Sequence, residues 1–190
     1  MWICELSEAQ RDQGFASNQA DAQDQAAALD QANEPNQAAA LNPAAVLDQA
    51  AALERDCFGS QAWSRQALAD AARDKNALYL ALMENGLKAG ASPDGVLVGY
   101  CGVWLSFEEG EIMNVAVRKD FRRKGYAGKL LKELLARASQ RGVSRFILEV
   151  REGNLPARRL YESLGFQEAG IRKNFYSDPK ENALILVKEI

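Results

Sequence analysis

Residues 111–150 constrain the fold more than any other part of the chain. The apolar run EIMNVAV (residues 111–117) is followed by FRRKGYAGKLLKELL (residues 121–135), where three basic residues lead into Gly125. From Gly125 to Arg141 the apolar residues Ala127, Leu130, Leu131, Leu134, Leu135 and Ala138 recur at helical spacing, so one face of the segment is apolar. Gly142 supplies a stop, and SRFILEV (residues 144–150) reads as the next strand. A second strand-to-helix unit follows in NLPARRLYESLGF, where Asn154 is a candidate N-cap, Pro156 lies in the first turn and Gly165 follows the last.

Around these units the chain reads as strands with two earlier helices. ALYLALM (residues 77–83) and VLVGYCGVWLSF (residues 96–107) read as strands joined by a Gly/Ser/Pro/Asp turn region, and ALILVKEI closes the sequence as a strand. Asn42-Pro43 opens a helix running toward Cys57, and WSRQALADAARD a second, shorter one. The resulting order, β-α-α-β-β-β-α-β-α-β-β, predicts an α/β domain: a mixed sheet with helices on its faces.

Residues 12–59 repeat with a period of twelve, as DQGFASNQADAQ, DQAAALDQANEP, NQAAALNPAAVL and DQAAALERDCFG. Their Ala/Gln/Asp composition offers little to bury. Removing three periods joins WICELSEAQR to DQAAALERDCFG, a strand followed by a helix. The domain division expected is therefore a first strand within residues 1–11, a repeat insertion at 12–47, and the remainder of one domain at 48–190. Partner binding is the alternative use of the repeats.

Charge and composition narrow the chemistry. Residues 1–96 carry 6 Lys/Arg against 14 Asp/Glu, and residues 97–190 carry 17 against 12. The basic half suits a phosphate-bearing ligand. There is no histidine, which removes Ser-His-Asp and Cys-His catalysis and the commonest metal ligand, so no metal is expected. Three well-separated cysteines, Cys4, Cys57 and Cys101, argue against a disulfide framework. No apolar stretch reaches membrane-spanning length and no signal peptide is evident, so a cytoplasmic protein with no membrane contact is expected.

A strand, a glycine turn and a helix start present several main-chain N–H groups to one point, and the helix dipole favours an anion there. The turn lacks the Gly-Lys-Ser/Thr of a Walker loop and the spacing of a dinucleotide fingerprint. On residues alone it is either a pyrophosphate cradle or an ordinary turn. Glu149, a carboxylate in an apolar strand, needs a partner or a raised pKa, and Arg151 on the same strand face is a candidate partner. Tyr161 shares a helix face with Ala157, Leu160 and Leu164, the spacing of a core tyrosine.

Arg122-Arg123-Lys124-Gly125-Tyr126-Ala127 resembles the Arg/Gln-x-x-Gly-x-Gly/Ala turn of the GNAT superfamily of N-acetyltransferases. LEVREGNLPARRLYESLGF (residues 148–166) is similar to the signature of its RimI-like branch, which acetylates protein N-termini, notably the N-terminal alanine of a ribosomal protein. IRKNFYSD, and the series Glu54, Cys57, Phe58, Trp63 and Ser64, extend the likeness over about residues 47–190 and the first strand. The family often has Pro before the Trp-Ser pair, where this chain has Ala62.

The resemblance implies a GNAT fold: a mixed, mostly antiparallel sheet of about six to seven strands with helices on both faces. It implies acetyl-CoA as cosubstrate, its pantetheine arm on the backbone of Val115, Ala116 and Val117. It places the pyrophosphate on the amides of Arg123, Lys124, Gly125, Tyr126, Ala127 and Gly128, and a further contact at Asn154. It makes Glu149 the general base and Tyr161 the general acid in direct attack by a protein N-terminal Ala or Ser, within a ternary complex. The partner implied is a small-subunit ribosomal protein, with no direct nucleic-acid contact. The alternatives are a small-molecule amine or lysine acetyltransferase, or a non-catalytic CoA-binding or nucleic-acid-binding module.

Overall fold

The computed structural model describes residues 1–6, 42–84 and 95–190. In chain order they form β1 (Trp2–Glu5), α1 (Pro43–Phe58), α2 (Arg65–Arg73), β2 (Ala77–Glu84), β3 (Val96–Ser106), β4 (Glu109–Val117), α3 (Tyr126–Gln140), β5 (Arg145–Arg151), α4 (Leu155–Ser163), β6 (Gln167–Ser177) and β7 (Lys180–Glu189). This is the order expected from the sequence. The first three repeats and the turn region after β2 lie mostly outside the described residues.

Three of the helices, α1, α2 and α4, begin where a side chain satisfies a first-turn amide. Asn42 Oδ1 accepts from the Ala44 N–H at 3.1 Å, with Pro43 in the first helical position. Ser64 Oγ accepts from the Ala67 N–H at 3.1 Å. Asn154 Oδ1 accepts from the Ala157 N–H at 3.3 Å. Each such cap is worth about 1 kcal/mol. α1 starts at Pro43, so Pro43, Val46 and Leu47, assigned to the insertion on sequence, are buried in the first turns of this helix.

The strands form one seven-stranded sheet in the order β1-β2-β3-β4-β5-β7-β6. Every neighbouring pair is antiparallel except β4 and β5, which α3 connects in parallel. One face carries α3 and α4 over Leu78, Leu80, Val103, Phe146, Leu148 and Leu184. Leu130, Leu131 and Leu134 of α3 are fully buried there, each worth about 1.5–3 kcal/mol. On the other face α1 and α2 pack over Tyr79, Ala81, Met83, Tyr100 and Ala116.

Candidate active site

Two irregularities open the sheet at its centre. β4 and β5 pair only from Glu109↔Arg145 to Ile112↔Leu148, although both strands continue, to Val117 and Arg151. Beyond Ile112 they part and leave a wedge. At the same level the β3–β4 register shifts, so that Val103 faces Ile112, Gly102 faces Asn114, and Met113 is the extra residue of a bulge. Val115, Ala116 and Val117 stay paired to β3 along one edge, while their other edge faces the wedge.

The turn ending β4 is shaped by main-chain conformation rather than by side-chain capping. Arg123 and Gly125 both have positive φ, 60° and 79°, and no side chain caps α3. Backbone that alternates hand in this way gathers its N–H groups into a concave nest, and a Cβ on Gly125 would meet nothing within 4 Å. The space before the first α3 amides is open. Arg122 does not face that space: Nε donates to the Val117 carbonyl at 2.9 Å and Nη2 approaches Cys57 Sγ at 3.3 Å, which ties the turn to β4 and α1. Lys124 and Arg118 lie against the Phe121 ring, at 5.2 and 5.7 Å.

Glu149 lies on the face of β5 opposite to Leu148 and Val150, at the wedge. Its partner is not Arg151. Arg172 of β6 reaches over β7 and donates to Glu149 Oε1, leaving Oε2 without a partner among the described residues. Arg151 is engaged elsewhere. It pairs with Glu181 at 3.2 Å, donates to Gln61 Oε1 at 3.0 Å and to the Asp178 carbonyl at 2.9 Å, and stacks on Tyr176 at 4.0 Å. This bridges the α1–α2 connection to the β6–β7 hairpin. Arg172 was missed on sequence as a site residue, although it sits within IRKNFYSD.

Tyr161 lies across the sheet from Glu149, edge-on to Phe166 with ring centroids 5.7 Å apart. Burial pushes its phenol well above the ordinary tyrosine range, with Cys101 and Tyr176 adding smaller effects, so it keeps its proton at neutral pH. Its hydroxyl has no partner among the described residues. Asn154 spends its Oδ1 on the α4 cap, and its amide nitrogen has no partner among the described residues.

Sequence reading also left a buried polar group without a role. Glu54 on α1 is wholly buried. It accepts from Tyr100 Oη, from Asn114 Nδ2 at 3.1 Å and from the Trp63 N–H at 2.7 Å. Tyr79 Oη donates to Asn114 Oδ1 at 3.4 Å. The Tyr79 ring fills the space over Gly102, where a Cβ would lie 2.2 Å from it. Glu54 thus joins the bulge of β4, one residue before Val115, to the α1–α2 connection.

The site thus comprises a parallel pair that splays, an amide nest at the foot of the following helix, a carboxylate on the splayed strand and a buried phenol on α4. The profile of the Acetyltransferase (GNAT) family matches residues 47–166. The chain belongs to that family. It is 36% identical over 114 residues to a relative from Bacillus subtilis (strain 168), 59% of this chain and 76% of the relative. To the ribosomal protein bS18-alanine N-acetyltransferase of Escherichia coli (strain K12) it is 38% identical over 99 residues, 51% of this chain and 67% of the relative. The crystal structure of the Escherichia coli ribosomal-protein-S18-alanine N-acetyltransferase superposes with a TM-score of 0.65 at 32% identity, covering 76% of this chain and 87% of that one. Arabidopsis thaliana NAA60 in complex with acetyl-CoA, at 19% identity and a TM-score of 0.66, shares the fold.

The site fits the family's acyl donor, acetyl-CoA. A doubly charged linkage needs converging N–H groups and room for close approach, and the Arg123–Gly128 turn supplies both. An extended amide-bearing arm needs a free strand edge, and Val115–Val117 face the wedge with one.

Proposed function

We propose that the chain acetylates the N-terminal α-amine of a protein, taking the acetyl group from acetyl-CoA, and that its acceptor is the alanine-starting ribosomal protein bS18. The relatives named above support the acceptor, and such an acceptor places the reaction in the cytoplasm. The single observation that supports the chemistry is the parting of β4 from β5 beyond Ile112, with Glu149 on the parted stretch of β5.

Acetyl-CoA supplies an activated thioester, and the chain positions and moves protons around it. The nest at Arg123–Gly128 binds the pyrophosphate, Val115–Val117 the arm, and the Asn154 amide nitrogen contributes a further contact. Arg172 fixes Glu149 by Oε1, and Oε2 takes the proton of the incoming amine, directly or through water. A main-chain N–H of Val115–Val117 stabilises the developing oxyanion. Tyr161 offers its proton to the leaving sulfur. A free thiol has a pKa near 8.5, so this help is modest. An α-amine with pKa near 8 is neutral far more often at pH 7 than a lysine near 10.4, which favours N-termini by roughly two pKa units. No step of this chemistry is assigned to the repeats at residues 12–47.

The test is mass spectrometry of two peptide sets incubated with acetyl-CoA. One set has free N-terminal alanine; the other is Nα-blocked and contains lysine. Acetylation of the first set is expected, and acetylation confined to the second overturns the N-terminal reading. Glu149→Gln should lower turnover by about 10²–10⁴ with acetyl-CoA binding retained. Native turnover in that variant removes Glu149 from the mechanism.

A further inference from the structure

We propose that Glu111, with Trp104 beside it, forms a subsite for a positively charged side chain at the second or third residue of the acceptor. The inference rests on the N-terminal reading above and adds a rule of sequence selectivity to it.

The α1/α2 face of the sheet continues past these helices over β4, β5 and β7. One row crosses it through direct strand partners: Trp104↔Glu111, Glu111↔Ile147 and Ile147↔Val187. All four side chains point away from α3, because Val103, Ile112, Phe146 and Leu186 alternate with them into the other core. The row is an apolar floor with one carboxylate set into it. Trp104 is 39% exposed, and Met113 on the same face is 41% exposed.

The acidic residues of this face differ in their pairing. Glu109 is held by Arg145, and Glu149 by Arg172. Glu111 is exposed and has no hydrogen bond or ion pair with a described residue. Its neighbour across the β3–β4 pair is the exposed indole of Trp104, an aromatic on which a guanidinium stacks while the carboxylate binds its N–H groups. A cation at this spot finds charge and stacking together, and an anion finds neither.

Position selects which acceptor residue arrives there. Glu111 and Glu149 lie on adjacent strands, offset by two residues in register because Glu111 pairs with Ile147, so their Cα atoms are about 8 Å apart. An extended peptide advances about 3.3 Å per residue. With the α-amine at Glu149, the second or third side chain reaches Glu111. The other end of the groove is closed where Arg151 bridges Gln61 to the β6–β7 hairpin, so the acceptor leaves over Glu111. A ribosomal protein, basic because it binds RNA, matches this charge.

The experiment uses the full chain with uncharged hexapeptides beginning in alanine, each carrying one arginine at position 2, 3 or 6, or none. The native chain should favour arginine at position 2 or 3 over the arginine-free peptide by about 5- to 20-fold in kcat/KM. Arginine at position 6 should give at most about 2-fold. Glu111→Gln should collapse the preference, and Glu111→Lys should transfer it to peptides with aspartate at the same position. Calorimetry with acetyl-CoA reports that each variant is folded. Should a variant fail to fold, loss of the native preference between 50 mM and 500 mM salt supports the subsite and persistence overturns it. Equal rates for all peptides overturn the subsite and leave N-terminal acetylation standing. Absence of acetylation on every peptide overturns both.

Discussion

Replacing Glu54 with leucine removes an acceptor on which three donors converge: the Tyr100 hydroxyl, the Asn114 amide and the Trp63 N–H. A buried donor left without a partner costs about 1–3 kcal/mol. The bond from Tyr79 to Asn114 Oδ1 does not serve the Asn114 N–H groups, while the leucine regains some apolar burial, so a net loss of about 3–5 kcal/mol is expected. That is a large part of the 5–15 kcal/mol by which domains are typically stable. Glu54→Gln keeps one acceptor oxygen and the shape, and should cost about 1–2 kcal/mol. Urea denaturation followed by tryptophan fluorescence reads both. The same variants should also raise the KM for acetyl-CoA, because Asn114 precedes the strand edge that faces the wedge. A leucine variant as stable as the native chain, with an unchanged KM, refutes the idea that this network sets the bulge.

Two further outcomes follow from burial. Tyr79, Tyr100 and Tyr161 have phenols raised above the ordinary range, chiefly by burial, with Glu54 adding to the first two. Because the folded state holds these protons more tightly, their stabilisation is complete below about pH 10 and declines as pH rises beyond it. The slope should be about 1.4 kcal/mol per pH unit for each phenol. Urea midpoints should therefore fall steeply above pH 10 and less steeply in Tyr100→Phe, and a flat midpoint to pH 11 contradicts this. Deleting residues 12–35 keeps Asn42–Leu47 and should leave the melting temperature nearly unchanged. Deleting residues 12–47 puts Gln10 and Arg11 where Val46 and Leu47 are buried, at a cost of about 3–6 kcal/mol. Equal melting of the two deletions refutes the assignment of Val46 and Leu47 to the core.

What was legible in the sequence was local. The apolar face of α3 follows from spacing within fifteen residues, and the caps at Asn42 and Asn154 from a side chain two or three positions from the amide it serves. The turn at Gly125 was legible for the same reason. What escaped depends on strands distant in sequence. The pairing of Glu149 with Arg172 requires the order β5-β7-β6, in which the last strand of the chain inserts between the two elements that carry them. Arg151, two residues from Glu149 on the same strand face, was the natural partner from sequence, but Glu181 and Tyr176 engage its guanidinium once the β6–β7 hairpin folds.

Glu54 is the instructive intermediate case. It continues the stripe of Leu47, Ala50 and Ala51 along α1, so it stands at a core position, and a carboxylate there demands donors from elsewhere. The signal was present, while the identity of the donors was not, because Tyr100 and Asn114 reach it only through a β3–β4 register shift that strand alternation does not encode. The shift and the parting of β4 from β5 occur at the same level of the sheet. Continued pairing of β4 with β5 beyond Ile112 would close the edge of Val115–Val117. A regular β3–β4 ladder would turn Asn114 away from Glu54. The bulge therefore links a buried hydrogen-bond network to an open strand edge, and on the proposed role of that edge a substitution on α1 is expected to change acetyl-CoA affinity without touching the ligand.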